Sequence, residues 1–448
     1  MYHLSGRVSG QHDENRSEKN TNEGGRLTVN LTSAEQEMLS GAHGKGIQLA
    51  MELLVKFGQL YGAERFLPVS RAHIDAAAYT TIWTAGTEFL EWLVENGARV
   101  AVPTTINPLS RDIKNWKALG ASEDFSEKSR RLEEAYLRLG VIATWTCAPY
   151  QCSNVPRFGE IVSWSESNAV NFVNSVVGAR AERLPDLVDV CCAVAGRVPA
   201  YGRYLKENRR GDVLFCLEGF SAPWFTDSAD YALLGYFIGE AVVNKVPVIE
   251  GLPAETTEDQ LKALSAAAAS AGAVSLFHVM GLTPEAPTRE AAFQGWCGYE
   301  AVSVTPADLT AVRRKLDTAM GDHVDMVLLG CPHFSAEEMR MVARCIGQKT
   351  VFPETDFWIM TSETQYHLAE RCGIAQKLEH AGVVITRDTC VMEMDEGDGR
   401  WTGKNIVTNS GKVAQYAPGI NGVRIKMATL ENCVQAAVTG KLPKECRV

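Results

Sequence analysis

The strongest constraint on the fold is an alternation repeated along most of the chain. Short apolar runs, ARVAVP at 98–103, VIATWT at 141–146, DVLFCL at 212–217, VPVIEG at 246–251, AVSLFHV at 273–279, DMVLLG at 325–330 and GVVIT at 382–386, are separated by helical stretches. Two such stretches are GTEFLEWLVENG at 86–97 and EDQLKALSAAAASAG at 258–272. Strands buried on both faces read as continuous apolar runs, and parallel neighbours need a helical crossover between them. The pattern therefore predicts an α/β protein of several layers with largely parallel sheets. At 448 residues the chain is about three times a ~150-residue domain, so it has room for one to three packed units. KENRRGD at 206–212 is a solvated connector and the candidate internal boundary, near 205–215.

Local signals place the first ordered helix. Thr32 with Glu35 and Ser33 with Gln36 both have capping-box spacing. After Gly46, Leu49, Leu53 and Phe57 recur at helical spacing and predict a buried face. Residues 1–26 are polar, lack the apolar stretch of an export signal and read as a disordered extension before an ordered region spanning 27–448. No apolar run approaches the ~18 residues of a membrane span. With 44 basic and 54 acidic side chains the net charge is −10, which argues against a nucleic-acid face. The reading is a cytoplasmic protein without membrane or nucleic-acid partners.

Twelve cysteines without an export signal imply reduced thiols. Cys191 and Cys192 lie in an apolar stretch and read as core. Cys147, Cys331 and Cys390 differ, because each follows one of the apolar runs. Ligands of α/β folds bind beyond strand C-termini. Three thiolates there can hold an iron–sulfur cluster or a zinc ion and leave one metal position open. The separations, 331 − 147 = 184 and 390 − 331 = 59, match no compact metal motif. Cys152, four residues beyond Cys147's next neighbour, makes C-x4-C without the further cysteine a ferredoxin pattern needs.

Longer words carry a resemblance. LTSAEQEMLSGAHGKGIQLAMELL, RAHID at 71–75, VAVPTTIN at 100–107, TCAPY at 146–150 and GEIVSWSESNAVNFVNSVVGAR at 159–180 stand in that order. GRVPAYG at 196–202, FHVMGLTPEA at 277–286, GCPHFS at 330–335, DTC at 388–390 and TNSGKVAQYAPG at 408–419 complete the set. The chain resembles the large, catalytic part of the aconitase X family from about Leu27 to about Gly440. That resemblance implies an aconitase-like fold and a hydro-lyase. It also implies an iron–sulfur cluster of unspecified nuclearity, or iron, on Cys147, Cys331 and Cys390. The substrate is expected to be a small hydroxy acid, cis-3-hydroxy-L-proline first and mevalonate 5-phosphate second. A non-catalytic metal-binding paralogue is the reading from another class.

Among the matched words, Arg180 is the candidate carboxylate clamp, since a guanidinium binds a carboxylate through two bonds. Glu166, Ser165 and Ser167 are candidate catalytic residues, with Ser167 alternatively a helix N-cap. His73 is either a site residue or a satisfied core imidazole. Asn107, Tyr150 and the polar loop Thr408-Asn409-Ser410 are candidate substrate contacts, and Lys412 beside that loop is a candidate catalytic cation. His278 and His333 stand beside matched words with their roles open. Four places depart from the family words: Ala181-Glu182, Gln415, the segment after HID at 76–89, and Pro108-Leu109. They are expected to touch substrate contacts more than metal ligands. The family's active site is completed by a small swivelling domain carrying a catalytic serine, fused or separate. The 26-residue extension is too short to be that domain, so a separate small swivel-domain subunit is the expected partner.

Overall fold

The computed structural model describes residues 28–395, 399 and 401–444; the expected N-terminal extension lies outside the described residues. The first part of the chain carries β1 (Phe66–Pro68), β2 (Ala72–Ile74), β3 (Thr104–Ile106), β4 (Ser163–Trp164) and β5 (Arg197–Pro199). Strands β3-β2-β4 form a parallel sheet, and β1 pairs antiparallel with β5. The middle part carries β6 (Val213–Leu217), β7 (Pro247–Glu250), β8 (His278–Val279) and β9 (Glu300–Val304), a parallel sheet in the order β8-β7-β6-β9. The last part carries β10 (Met326–Phe334), β11 (Asp356–Thr361), β12 (Val384–Arg387), β13 (Asn405–Thr408) and β14 (Arg424–Met427), parallel in the order β12-β11-β10-β13-β14. The α/β architecture with parallel sheets is thus the one the alternation implies.

Alternate side chains of a strand point to opposite faces. In β10, Met326 and Leu328 join the core shared with the middle sheet, while Val327 and Leu329 join a separate core with Phe357 and Ile359. Both faces of the five-stranded sheet are buried, which is why its strands read as unbroken apolar runs. The alanine-rich helix Glu258–Ala271 packs on Ser228–Val242, whose Gly235 and Gly239 leave no room for a Cβ against it. Among the described residues no helix is long and apolar enough to cross a membrane.

Several local expectations change. Thr32, not Ser33, caps the first helix, in a reciprocal box with Glu35. Helix Lys45–Leu60 buries Ala50, Met51, Leu54 and Gly58 fully, whereas Leu49, Leu53 and Phe57 are only half-buried beside that face. The run at 98–103 is not a strand: its Val100 and Ala101 amides bond the carbonyls of Leu139 and Ala193 instead of a ladder. Residues 141–146 also stay irregular, because Thr144 N–H closes a tight turn on the Ile142 carbonyl and Trp145 takes φ +38°. Cys147 therefore follows a coil beside β3, not a strand end.

Candidate active site

One cavity of about 270 Å3 gathers residues from the first and last parts of the chain. The Cys147 coil, the distal end of β10 and the turn after β12 bring Cys147, Cys331 and Cys390 onto its wall. Beyond Leu329 the pairing of β10 with β11 shifts, which frees Cys331 from regular ladder geometry. Gly330 takes φ +91°, and a Cβ there would collide with the Met360 backbone. The short helix Ser167–Phe172 is capped by Glu166, whose carboxylate accepts from the Ala169 N–H at 2.6 Å. That cap fixes Glu166 at the cavity wall and overturns the alternative of Ser167 as the cap.

Lys412, one residue into the helix Gly411–Asn421, places its Nζ 2.6 Å from Glu166 Oε1 and 3.4 Å from Ser167 Oγ. Burial raises the proton affinity of Glu166, but the Lys412 charge overrides it and holds the carboxyl below its usual range. Burial likewise pulls Lys412 down, and the charges of Glu166, Cys331 and Cys147 push it well above the usual lysine range. The pair is ionised. Asp75, at the end of β2, faces the same cavity and behaves oppositely. Burial, then the nearby charges of Glu166, Asp186 and Asp189, push its carboxyl well above the usual range against the opposing charge of Lys412. Asn107 Nδ2 donates to Asp75 Oδ1 at 2.5 Å. Glu393, on the turn after Cys390, also lines the cavity and accepts from Thr80 Oγ1 at 2.5 Å.

The three cysteines are half-buried, and desolvation pushes Cys147 up to about 12 and raises Cys331 and Cys390. Opposing this, the Lys412 charge favours the thiolate at all three, the His333 N–H donates to Cys147 Sγ at 3.3 Å, and Ser410 assists Cys331. Asn168 Nδ2 braces the Cys147 coil, donating to the Cys147 carbonyl and to Tyr150 Oη at 3.1 Å each. Among the described residues no three His, Cys, Asp or Glu side chains gather as a lone ion requires. Three soft sulfur donors around one cavity, each with a positive charge or hydrogen-bond donor nearby, fit a sulfur-ligated cluster better than a single zinc ion.

Of the residues the sequence singled out, Glu166, Ser167, Lys412, Asn107 and the three cysteines line the cavity. The others stand behind it or elsewhere. Ser165 is buried and donates to Asp189 at 2.7 Å. Tyr150 stacks on Phe172 at 3.7 Å. Thr408 is fully buried, while Asn409 and Ser410 line a smaller recess behind Cys331. Arg180 faces a separate groove with Arg65 and Lys206, and its guanidinium bonds the Tyr204 carbonyl at 3.4 Å. After the helix Ser167–Phe172 the chain turns back at Gly178, φ +74°, so Arg180 pairs beside Ile161 and is no clamp for a ligand in this cavity. Of the departures, Ala181, Glu182 and Gln415 lie off the cavity, Gln415 accepting from Tyr236 Oη at 2.7 Å. Pro108, Ala78 and Thr81 do line it.

His73 is fully buried, with Nδ1 2.9 Å from Thr105 Oγ1, and does not reach the cavity. His278 is likewise buried apart from it, against the Arg209 carbonyl. Burial lowers His73 to about 4 from 6.5, against smaller opposing contributions from Glu166 and Asn107. Between those values the unfolded chain binds a proton there that the folded chain does not, so stability falls as pH drops from 6.5 towards 4. His73→Gln is expected to flatten that limb of a denaturation-midpoint-against-pH curve. An identical slope in both proteins would remove His73 as its source. Asp75 and Glu393 are cavity residues that residue-by-residue reading missed, and His333, whose role it left open, lines the cavity too. The RAHID word held a signal for Asp75, and GCPH one for His333.

Family models place this arrangement. Descriptions of the aconitase X first, second and third domains match residues 28–207, 211–314 and 324–439. A cis-3-hydroxy-L-proline dehydratase of Pseudomonas aeruginosa is 39% identical over 92% of this chain and 70% of its own length. A phosphomevalonate dehydratase large subunit of Methanothermobacter thermautotrophicus is 37% identical over 88% of this chain and 95% of its own. The crystal structure of Thermococcus kodakaraensis aconitase X, holo-form, superposes with a TM-score of 0.81 at 34% identity, covering 91% of this chain and all of that one.

Proposed function

The chain belongs to the aconitase X family, and from that premise we propose that it is a carbon–oxygen hydro-lyase that dehydrates cis-3-hydroxy-L-proline. The observation that carries the substrate is the charge of the cavity. Lys412 is the one lysine or arginine among its described lining residues, and it is already paired with Glu166. Glu393 adds a carboxylate that no cation of this wall offsets. A ring ammonium and one carboxylate match that wall, whereas a phosphate adds negative charge with nothing here to receive it.

An iron–sulfur centre on Cys147, Cys331 and Cys390 would supply a Lewis acid for the leaving hydroxyl. The remaining roles fall to the chain's own groups. Lys412 takes the substrate carboxylate, the role first expected of Arg180, and stabilises the enolate-like charge that builds there. As Lys412 turns to the substrate, Glu166 loses part of the field that holds its proton affinity down and becomes the stronger base for the α-proton. Asp75, whose proton affinity burial raises, is the group that would supply a proton to the departing hydroxyl. Loss of water leaves an enamine, which tautomerises to a pyrroline-2-carboxylate. A small swivel-type domain, in a separate subunit, completes the site. The phosphomevalonate dehydratase relatives are themselves large subunits, which supports such a partner. The free cysteines among the described residues suit a reducing cytoplasm.

The assay offers cis-3-hydroxyproline and mevalonate 5-phosphate in parallel to anaerobically loaded protein with the small subunit. Hydroxyproline is the expected substrate. Turnover of the phosphate ester alone overturns the charge argument, and the near-full-length match to phosphomevalonate dehydratase large subunits makes that arm necessary. Silence with both, in protein shown to hold iron and sulfide, would favour a non-catalytic paralogue. Glu393→Gln is expected to raise KM for hydroxyproline about tenfold or more with a smaller change in kcat, the worth of a charge-assisted bond. An unchanged KM would remove Glu393 from the ammonium site.

A further inference from the structure

Resting on the reading that Cys147, Cys331 and Cys390 hold one metal centre, we infer that His333 is the positioning residue that keeps their three loops in register. Its imidazole is 2% exposed and bridges two of them directly. His333 Nε2 lies 3.0 Å from the carbonyl oxygen of Thr389, the residue before Cys390. Nδ1 lies 3.1 Å from Oγ1 of Thr146, the residue before Cys147. The third loop is its own, since His333 stands two residues after Cys331 and sends its backbone N–H to Cys147 Sγ.

The polarity of these bonds selects one ring state. A carbonyl oxygen can only accept, so the proton sits on Nε2, and Nδ1 accepts from the Thr146 hydroxyl. That hydroxyl in turn accepts from the Ala148 N–H at 3.1 Å. A rigid ring with a donor at one side and an acceptor at the other satisfies all partners at once. The outer end is anchored too: Lys262 Nζ donates to the His333 carbonyl at 3.2 Å, and Thr389 Oγ1 donates to the Leu109 carbonyl at 3.1 Å.

The physical need for such a tie follows from chain length. The cysteines are 184 and 59 residues apart, so no short loop holds their sulfurs together. Each loop that must be ordered at the moment of metal binding subtracts from affinity, and ordering it beforehand restores that affinity. The ring's two side-chain bonds end on the loops that carry Cys147 and Cys390, so its loss should loosen the three thiols more than it disturbs the sheets.

The test uses the full chain, reconstituted anaerobically with ferrous iron and sulfide and then challenged with a ferrous chelator. His333→Phe keeps a ring of similar volume and removes both bonds. Its visible absorption is expected to decay about 10- to 100-fold faster than that of wild type, with far-UV dichroism and the metal-free melting temperature near wild type. His333→Gln, whose amide can still donate to Thr389, should recover part of the lifetime. A wild-type lifetime in His333→Phe overturns the inference while leaving the metal reading intact. An equal loss in metal-free melting temperature with an unchanged chelator lifetime also overturns it, since that is a packing role. Should His333→Phe fail to fold, Thr146→Val deletes one hydroxyl and is read in the same way, an unchanged lifetime again counting against the tie. Wild-type protein that takes up no iron or sulfide overturns the inference together with its premise.

Discussion

Cys331→Ser is expected to lose the visible absorption of the reconstituted protein and to lower turnover at least about 100-fold. Cys331 lies where β10 leaves its regular register, so its sulfur faces the cavity while the ladder at Met326–Leu329 stays paired with β11. The thiolate is the proposed ligand, and desolvation resists its formation, while Lys412 and Ser410 favour it. A serine hydroxyl is a far weaker acid and a harder donor, so it inherits the burial without the compensation. Loss of a Lewis acid removes several kcal/mol of transition-state stabilisation, and each ~1.4 kcal/mol is tenfold in rate. Far-UV dichroism should stay near wild type. The decisive measurement is iron and sulfide content with the visible spectrum, and an unchanged spectrum would remove Cys331 from the ligand set.

Lys262→Met is expected to destabilise the protein by about 3–5 kcal/mol, as breaking one side of a buried ion pair does. Lys262 is 2% exposed in the helix Glu258–Ala271. Its ammonium meets the Glu338 carboxylate, Asp259 at 3.0 Å and the His333 carbonyl at 3.2 Å. Burial lowers its proton affinity, but the two carboxylates outweigh that and raise it. Burial also drives Glu338 up to about 7 even with the cation beside it. Methionine fills the space and leaves two poorly solvated carboxyls without a counter-charge. The denaturant midpoint reports the loss. Adding Glu338→Leu should recover a large part of it, because removing both partners is far milder than removing one. A single-variant change below about 1 kcal/mol would show that water reaches the network.

How far the sequence carried is visible in single residues. The word GEIVSWSESNAVNFVNSVVGAR supplied both Glu166 and Arg180 as candidates. The first faces the cavity and the second a different groove, because the chain reverses at Gly178 between them. The apolar run at 141–146 looked like the strands at 212–217 and 325–330. It differs in a tight turn and a positive φ at Trp145 that no periodicity announces. Gln415 and Ala181-Glu182 stood out as departures yet lie off the cavity. Pro108 and the segment around Thr81 stood out in the same way and do line it.

By itself the sequence determined the α/β layering, a capped start of the first helix within one residue and the three cysteines as a set apart from the rest. The layering and the cap are written in neighbouring residues, as apolar continuity or spacing within a turn, and the cysteines stand out by following apolar runs within the family words. Only the tertiary structure decided which polar groups meet. Lys412 and Glu166 are 246 residues apart, and His333 reaches Thr146 across 187. Contacts of that separation depend on how the sheets cross and where each loop reverses. Side-chain direction at a loop is set by backbone torsions that the residue type leaves open, so a sequence can nominate the chemistry of a site but not its convergence.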